Sequence, residues 1–184
     1  MMRLSDFEFV QLTKDTQLLP FDSEDEDLNN FLIEDAKNYS ADLMAVTYLF
    51  VDKEKQQIAA YFSLLNDKMA YDPREKSIWN RINRLIPNSK RRRSYPSAKI
   101  GRLAVGKDYV HGGLGSQILG YIEYYLVTNP KLGCRFLTVD AYAKATDFYR
   151  KNDFEYFTML DTLDATRLMY LDLKPFKESI EQGI

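Results

Sequence analysis

The 184-residue sequence predicts an α/β protein in which a mixed sheet is covered by helices on both faces. In several short segments apolar and polar residues alternate, which is the period of half-buried strands. In other segments apolar residues recur every three or four positions, which is the period of amphipathic helices. Hydrophobic residues make up 45% and charged residues 28% of the chain, so it can bury a core and still present a charged surface.

One domain is expected over residues 1–184, because this length suits an ordinary domain of roughly 100–200 residues. The sequence contains no internal repeat, low-complexity segment or long linker. Residues 74–93 are expected to form an insertion made of a helix and a basic loop. Residues 174–184 are expected to fray as a terminal tail.

The expected location is the reducing cytoplasm. The segment Met1–Val10 carries acids and only a short apolar patch, unlike a signal peptide. No window approaches the roughly 18 consecutive apolar residues of a membrane span. The single cysteine, Cys134, excludes an internal disulfide framework. With a single histidine, His111, the chain also lacks the ligands for a zinc site of His and Cys, and no metal is expected.

The first half of the chain is predicted to contain a strand, a helix and a pair of strands. The strands are expected at Phe7–Leu12, Met44–Val51 and Gln57–Leu65. Ser23 followed by Glu26 has the spacing of a capping box and predicts the start of the helix. The apolar face of this helix is expected to comprise Leu28, Phe31, Leu32, Ala36 and Tyr39.

A second helix is predicted to begin at Asp72. Asp72 can accept from the first free amides, Pro73 suits the first helical position, and Glu75 can reach back to the cap. Pro87 then ends this helix, and Lys90–Arg93 follows as an exposed loop. The apolar stripe is expected to comprise Ile78, Ile82, Leu85 and Ile86.

The second half is predicted to alternate strands and helices. Its strands are expected at Ala98–Val105, Phe136–Asp140, Phe154–Met159 and Arg167–Leu173. Its helices are expected at Leu114–Thr128, ending before Pro130, and at Ala143–Lys151, with Asn152 as a left-handed cap. The residues expected to face inward are Leu114, Ile118, Ile122, Tyr125 and Leu126 of the first helix and Ala145, Phe148 and Tyr149 of the second.

Charge is unevenly distributed although the net charge is only −2. Asp22–Asp35 contains seven acids and no base, whereas Arg74–Arg93 contains eight bases and one acid, giving +7. The basic segment could attract a phosphate-rich partner. Alternatively, it is a solvated helix face and loop that the acidic segment balances. Both interpretations remain open.

A glycine-rich turn lies between a predicted strand and a predicted helix. The loop Gly106–Val110 is followed by His111-Gly-Gly-Leu-Gly-Ser116. Such a turn lets backbone amides approach an anion, and the helix dipole adds a favourable potential, so a pyrophosphate ligand is predicted. The alternative is a tight turn that needs positive φ. Neither the dinucleotide fingerprint nor the P-loop motif is matched.

The pattern Val110-His-Gly-Gly-Leu-Gly115 resembles the motif Gln/Arg-x-x-Gly-x-Gly/Ala of the GNAT superfamily of acetyl-CoA-dependent N-acetyltransferases. Downstream, Asp140–Phe154, which contains Phe148-Tyr149, is similar to the family segment that ends in Phe-Tyr-x-x-x-Gly-Phe. The resemblance implies a GNAT-like, mostly antiparallel twisted sheet and direct transfer of an acetyl group from acetyl-CoA to a primary amine.

The resemblance also implies roles for individual residues. Tyr149 matches the general acid that protonates the departing CoA thiolate. A phenol with a pKa of about 10 stays protonated at neutral pH and could assist this thiol, with a pKa of about 8.5; the alternative for Tyr149 is core packing. The backbone of Leu103, Ala104 and Val105 would pair with the pantetheine arm. The pyrophosphate cradle would comprise Val110, His111, Gly112, Gly113, Leu114, Gly115 and Ser116. The general base is open among water, Asp140 and Tyr142.

Three positions depart from the family pattern. Val110 replaces Gln or Arg, but its amide could still serve the ligand. His111 replaces a frequent glycine, and Asp153 replaces the glycine before Phe154, where Asp tolerates left-handed φ better than most residues.

Two kinds of acceptor are compatible with the sequence. Phe21–Leu32 and Ile100–Val105 are similar to GNAT toxins of toxin–antitoxin modules, which acetylate aminoacyl-tRNA. That similarity implies tRNA binding through Arg74–Arg93, an antitoxin partner and the possibility of a homodimer. The net negative charge favours instead a small-molecule or protein amine. A third hypothesis is a catalytically degenerate GNAT fold that binds CoA or a partner.

Overall fold

The computed structural model describes residues 3–129 and 133–183. Within these residues seven strands form a sheet in the order β1-β2-β3-β4-β5-β7-β6. Adjacent strands pair antiparallel at β1–β2, β2–β3, β5–β7 and β6–β7. The strands are β1 Glu8–Gln11, β2 Val46–Asp52, β3 Gln57–Ala70, β4 Ser94–Val105, β5 Phe136–Tyr142, β6 Glu155–Tyr156 and β7 Thr166–Asp172. The predicted mixed α/β class with a mostly antiparallel sheet is confirmed.

Six α-helices lie in the part of the chain that the structure describes. They are α1 Glu26–Asn30, α2 Ala36–Ala41, α3 Lys76–Arg84, α4 Leu114–Thr128, α5 Thr146–Lys151 and α6 Leu173–Glu181. A π-helical segment, Phe31–Asp35, joins α1 to α2. Short 3₁₀ turns include Pro73–Glu75 before α3 and Lys107–Gly112 before α4. None of the described helices is long and apolar enough to cross a bilayer.

The chain groups into two compact units. The first comprises Met1–Leu65 and Ile100–Ile122, and the second comprises Asn66–Lys99 and Glu123–Ile184. Strands β3 and β4 and helix α4 each contribute residues to both units. The single domain expected from the sequence stays a prediction.

In the first unit both faces of the sheet are covered. Adjacent strand residues point to opposite faces, so Leu49 and Phe50 of β2 face different layers. Leu49 packs in a core cluster with Phe31 of the π-helical segment. On the other face the rings of Phe9 and Phe50 contact Tyr121 of α4, with centroids 4.9 and 5.8 Å apart.

The predicted apolar helix faces are largely confirmed. The residues buried as predicted are Phe31, Leu32, Ala36, Ile82, Ile86, Leu114, Ile118, Ile122 and Tyr149. Tyr39 and Leu85, which were expected to face inward, are exposed. In the second unit Trp79, which was not predicted to face inward, is buried in the core with Ile82 and Ile86 and stacks on Tyr95 at 5.4 Å.

Several helix ends differ from the sequence prediction. Asp25, rather than Ser23, caps α1 by accepting from the Leu28 amide at 3.3 Å. The Ser23 hydroxyl instead donates to Asn29 Oδ1 at 2.8 Å. Asp72 does accept from the Arg74 amide, as predicted. Glu75, however, does not reach back to this cap, because its carboxylate accepts from the Thr158 hydroxyl and the Met159 amide.

Two further predictions about the second half need correction. The left-handed residue after α5 is Asp153, with φ +64°, whereas Asn152 has φ −111°. Residues from Lys174, expected to fray, lie in α6 up to Glu181, since Asp172 caps this helix by accepting from the Lys174 amide. Pro130 and Ile184 lie outside the described residues.

Three strands differ most from their predicted lengths. Strands β3 and β4 are longer than predicted, extending to Ala70 and starting at Ser94. The strand expected over Phe154–Met159 is only Glu155–Tyr156.

Candidate cofactor and catalytic site

The end of β4 supplies the strand part of the candidate site in the first unit. Leu103 and Val105 are half-buried, and Ala104 is buried in the core. The next residue, Gly106, donates its amide to the Ala59 carbonyl at 2.8 Å. A Cβ at Gly106 would lie 3.2 Å from that carbonyl oxygen, which is tighter than nearly all real contacts. A side chain at Gly106 would therefore require β3 to shift by a few tenths of an ångström.

The glycine-rich segment adopts a 3₁₀ turn over Lys107–Gly112 and then enters α4. Gly113 lies between them with φ +70°, a left-handed conformation that strains any residue with a side chain. No atom lies within 4 Å of the place where its Cβ would be. The left-handed backbone at Gly113 is what the alternative interpretation, a tight turn, predicts, and a ligand at this turn stays a prediction.

The start of α4 presents free backbone donors. The Gln117 amide donates to the Gly113 carbonyl at 3.2 Å, which marks the first intrahelical hydrogen bond. The amides of Leu114, Gly115 and Ser116 therefore precede the helical ladder. They lie at the positive end of the helix dipole, which favours an anion. This arrangement suits the predicted pyrophosphate.

The side chains of the predicted cradle serve different purposes. Val110 is 53% exposed, and His111 and Ser116 are also exposed. Leu114 is fully buried, so its side chain anchors the helix and only its amide could meet a ligand. A further anchor, which no sequence pattern indicated, is Tyr109, buried in the middle of the 3₁₀ turn.

Tyr149 lies on α5 in the second unit. It is 7% exposed, and its ring makes edge contacts with Phe148 at 5.1 Å and Phe154 at 5.3 Å. Its carbonyl accepts the amides of Asn152 and Phe154, which fixes the turn after the helix. Burial raises the pKa of Tyr149 above its usual value, so the phenol is protonated at neutral pH.

The predicted turn after α5 depends on Asp153. Its φ of +64° places an aspartate where the family pattern has glycine. Asp is among the few non-glycine residues that adopt this conformation at moderate cost. The departure from the family pattern is therefore accommodated by the backbone.

The two candidates for the general base lie on β5 in the second unit. Asp140 forms an ion pair with Lys99, which occupies its carboxylate. The Tyr142 ring carries Lys144 Nζ 5.6 Å above its centroid. Neither geometry singles out a base, and both stay predictions. The described residues contain no cluster of His, Cys, Asp or Glu suited to a metal ion.

Several cations of the basic segment are already engaged within the second unit. Arg74 pairs with Asp72, and Arg81 pairs with Glu155 at 3.0 Å. Arg91 Nε donates to the Asn83 and Ile86 carbonyls at 2.9 and 3.3 Å, at the end of α3. The Arg93 guanidinium lies 5.2 Å from the Tyr71 ring centroid.

The remaining cations of this segment are exposed and have no side-chain partner within residues 3–129 and 133–183. We call them the free basic set: Lys76, Arg84, Lys90 and Arg92.

The fold is similar to that of solved bacterial toxins. A structure described as a bacterial toxin has a TM-score of 0.77 and 12% identity over 95% of each chain. A tyrosine-to-phenylalanine variant of the toxin AtaT, bound to the C-terminus of the antitoxin AtaR and acetyl-CoA, has a TM-score of 0.74. It is 18% identical, over 95% of this chain and 98% of the toxin.

A third structure is AtaT complexed with acetyl-methionyl-tRNAfMet, with a TM-score of 0.75. It is 19% identical, over 95% of this chain and 99% of AtaT. No protein-family model and no curated protein matches the sequence. The similarity to solved structures extends over nearly the whole chain, and the chain therefore has the GNAT-like fold of these toxins.

Proposed function

We propose that the protein is an N-acetyltransferase that moves an acetyl group from acetyl-CoA to a primary amine. The observation that carries the proposal is the strand–turn–helix at Leu103–Ser116. It has left-handed Gly113 and free amides at the start of α4, in a fold shared with a toxin solved with acetyl-CoA. This combination supports acetyl-CoA as the donor.

The residues of the first unit suit acetyl-CoA in two places. The backbone of Leu103, Ala104 and Val105 at the end of β4 would pair with the amides of the pantetheine arm, as an added strand does. The segment from Val110 to Ser116 would receive the pyrophosphate through backbone amides. The bare Gly113, with open space around it, lets the phosphate oxygens come close.

Tyr149 is proposed as the general acid. The acceptor amine attacks the acetyl carbonyl carbon, a C–N bond forms and the C–S bond breaks. The CoA sulfur takes a proton from the Tyr149 hydroxyl, and the amine loses one to solvent or to a base. Burial raises the pKa of this phenol, so it holds its proton at neutral pH and the tyrosinate is reprotonated readily by solvent. The same shift makes Tyr149 a weaker acid, so the proton moves only as negative charge develops on the sulfur.

The acceptor that we favour is the amino group of aminoacyl-tRNA. Two observations support it: a neighbour of the same fold is solved with acetyl-methionyl-tRNA, and the second unit exposes the free basic set. Cations of this kind bind phosphates and release counterions. The proposal places the protein in the cytoplasm, where charged tRNA is found. A neighbour bound to an antitoxin likewise supports an antitoxin as partner.

The test is release of the CoA thiol from acetyl-CoA in the presence of different acceptors. We expect release with aminoacyl-tRNA and none with the same tRNA after deacylation, because only the charged form carries a primary amine. If small amines or lysine peptides support release and aminoacyl-tRNA does not, the acceptor is a small-molecule or protein amine. Acetyl-CoA binding without release for any amine would support the catalytically degenerate alternative.

A further inference from the structure

The turn that precedes α4 is anchored by one buried tyrosine. Tyr109 is 2% exposed and lies in the 3₁₀ turn Lys107–Gly112. Its hydroxyl donates to Asp52 Oδ2 at 2.7 Å and accepts from Gln57 Nε2 at 2.8 Å. Both partners belong to the hairpin between β2 and β3, so this hydroxyl joins the turn to a different part of the first unit.

Asp52 is itself held in place. Its Oδ1 accepts from the Glu54 and Lys55 amides, each at 3.0 Å, which closes the hairpin turn. The Lys55 amide and the Tyr109 hydroxyl lower the pKa of Asp52, so its carboxylate is ionised at neutral pH. Burial raises the pKa of Tyr109, which therefore keeps the proton that it donates. A hydrogen bond to a charged acceptor is stronger than a neutral one.

The ring of Tyr109 is also confined. Phe7 contacts it edge-on with centroids 5.6 Å apart, and Lys55 Nζ lies 4.8 Å from its centroid. The ring also lies beside Gly106, where an added Cβ would come within 3.4 Å of Tyr109 Cδ2. The ring and the hydroxyl thus both contact other parts of the first unit.

The residues around Tyr109 show what this anchor controls. On its N-terminal side, the Lys107 amide donates to the Asp22 carbonyl at 2.9 Å, and Lys107 Nζ pairs with the Asp22 carboxylate at 2.8 Å. On its C-terminal side, Val110 and His111 are exposed, and the next fully buried side chain is Leu114. The segment Val110–Gly113 is therefore suspended between two buried anchors, Tyr109 and Leu114.

We propose that Tyr109 is a positioning residue for acetyl-CoA: with Asp52 and Gln57 it holds the amides of Val110–Ser116 in the orientation that receives the pyrophosphate. The inference rests on the proposed function, because it assigns a role within that cofactor site. Tyr109 acts through the backbone of the turn, and its own hydroxyl is occupied by Asp52 and Gln57. Preorganised amides bind an anion better because the turn need not be ordered during binding.

The test compares two tyrosines of the first unit. Tyr109→Phe removes the hydroxyl and keeps the ring. Tyr61→Phe is the matched control, because the buried Tyr61 hydroxyl donates to the Leu28 carbonyl at 2.7 Å, away from the turn. Each variant is studied by calorimetric titration with acetyl-CoA, by steady-state kinetics and by amide hydrogen exchange of the free protein.

For Tyr109→Phe we expect acetyl-CoA affinity to weaken roughly tenfold, as for the loss of a hydrogen bond to a charged group. The KM for acetyl-CoA should rise by the same factor with kcat nearly unchanged, since the chemistry at Tyr149 is untouched. Exchange should accelerate at the amides of Val110, His111 and Gly112, which lie in the 3₁₀ turn. Tyr61→Phe should lower stability to a similar extent and change neither the affinity nor the exchange of these amides.

Three results would overturn the inference in distinguishable ways. If the wild type binds acetyl-CoA and Tyr109→Phe binds it equally well, the positioning role fails while the proposed function stands. If Tyr61→Phe weakens binding as much, the effect is one of general stability. If the wild type itself binds no acetyl-CoA, the proposed function fails and the inference fails with it.

Discussion

The turn before α4 and the basic segment of the second unit differ in how their function depends on structure. In the turn, the proposed ligand contacts are backbone amides, and side chains such as Tyr109 and Leu114 only hold them. In the basic segment, the proposed contacts are side-chain cations, and Arg81 and Arg91 among them are occupied by partners within the protein.

The difference shows what each kind of sequence pattern can specify. A glycine motif specifies backbone geometry, and the structure has that geometry at Gly113. A charge count specifies only composition, because the same arginine can bind a phosphate or cap a helix. The net +7 of Arg74–Arg93 therefore does not show which of its cations a nucleic acid would contact. Substitutions confined to one region or the other test this contrast.

The largest effect is expected at the turn itself. Gly113→Glu places a carboxylate on a residue with φ +70°, at the start of a helix where an anionic ligand is proposed. Repulsion and strain together should weaken acetyl-CoA binding by at least about 100-fold. Calorimetric titration measures this. Gly120→Glu is the control, because Gly120 lies on the same helix with open space around it. If a folded Gly113→Glu protein binds acetyl-CoA with unchanged affinity, the cofactor does not bind at this turn.

The next effect concerns the chemistry. Tyr149→Phe keeps the buried ring and removes the proton, so turnover should fall on the order of 100-fold while acetyl-CoA affinity changes little. Tyr156→Phe, on a half-buried ring of the same unit, should turn over at the wild-type rate.

The pH profile of the wild type provides a second check on Tyr149. The active form is protonated and its pKa is raised, so activity that depends on Tyr149 is lost only as pH rises through a value above about 10. Turnover should therefore not decline between about pH 7 and about pH 9 because of this residue. If Tyr149→Phe and the wild type turn over at the same rate, Tyr149 is a core-packing residue and not the general acid.

A smaller effect, on tRNA affinity, should distinguish the free basic set from the cations that have partners within the protein. Replacing Arg84, Lys90 and Arg92 with Ala should weaken tRNA binding roughly tenfold and flatten its dependence on salt, by about 0.9 in log–log slope for each phosphate that the variant no longer neutralises. The measurement is tRNA affinity across a salt series. The matched variant, Arg91→Ala with Arg93→Ala, should lower stability and change the slope less, because these two side chains bind within the protein.

Two outcomes would contradict this assignment of the basic segment. If the salt dependence of tRNA affinity changes equally in both variants, Arg91 and Arg93 bind RNA despite their internal contacts. No tRNA binding by the wild type at low salt would leave a small-molecule or protein amine as the acceptor.

The smallest effect is on stability. Glu123 of α4 lines a cavity in the second unit with Asp153, and burial followed by the charge of Asp153 raises its pKa from 4.5 to about 7. The folded state thus binds a proton that the unfolded state has released, so stability is lost as pH rises through about 7. Glu123→Gln should match the wild type near about pH 4, below the unfolded pKa, and be more stable near about pH 8, on the order of 1 kcal/mol after allowance for solvent screening.

Denaturant unfolding at these two pH values measures the difference. Glu178→Gln, on the exposed face of α6, serves as the control and should show no such gain at the higher pH. A Glu123→Gln variant that is less stable than the wild type at both values would mean that the carboxylate is favourably bound there.

The elements that the sequence predicted best are those with a repeating pattern. Helix α4 begins and ends at the residues expected, because Leu114, Ile118 and Ile122 repeat at helical spacing after a glycine turn. The pairing of β2 with β3 followed from alternation around a polar turn. Gly113 and Asp153 were both predicted to permit left-handed backbone, and both adopt it.

What the sequence did not predict depends on contacts between distant residues. Asp25 replaced Ser23 as the cap of α1, because Ser23 binds Asn29 instead. Glu75 was predicted to bind the cap of α3, but its carboxylate accepts from Thr158 and Met159, more than 80 positions away. No pattern near Tyr109 in the sequence indicated its role, because its partners Asp52 and Gln57 lie in the distant hairpin between β2 and β3.

The candidate site shows the same division. The order of motifs located the turn and Tyr149, whereas the state of each side chain came from packing. Burial keeps Tyr149 protonated, Lys99 occupies Asp140, and internal partners occupy Arg91. None of these follows from residue type or spacing, because each depends on which side chain the fold brings near.

The central claim is that this protein transfers an acetyl group from acetyl-CoA to the amine of aminoacyl-tRNA. The most direct measurement incubates the wild-type protein with acetyl-CoA and charged tRNA, hydrolyses the ester and identifies the amino acid by mass spectrometry. We predict N-acetylated amino acid in amounts equal to the CoA released, and far less with Tyr149→Phe. Unmodified amino acid throughout, from a folded wild type that binds both acetyl-CoA and tRNA, would contradict the claim.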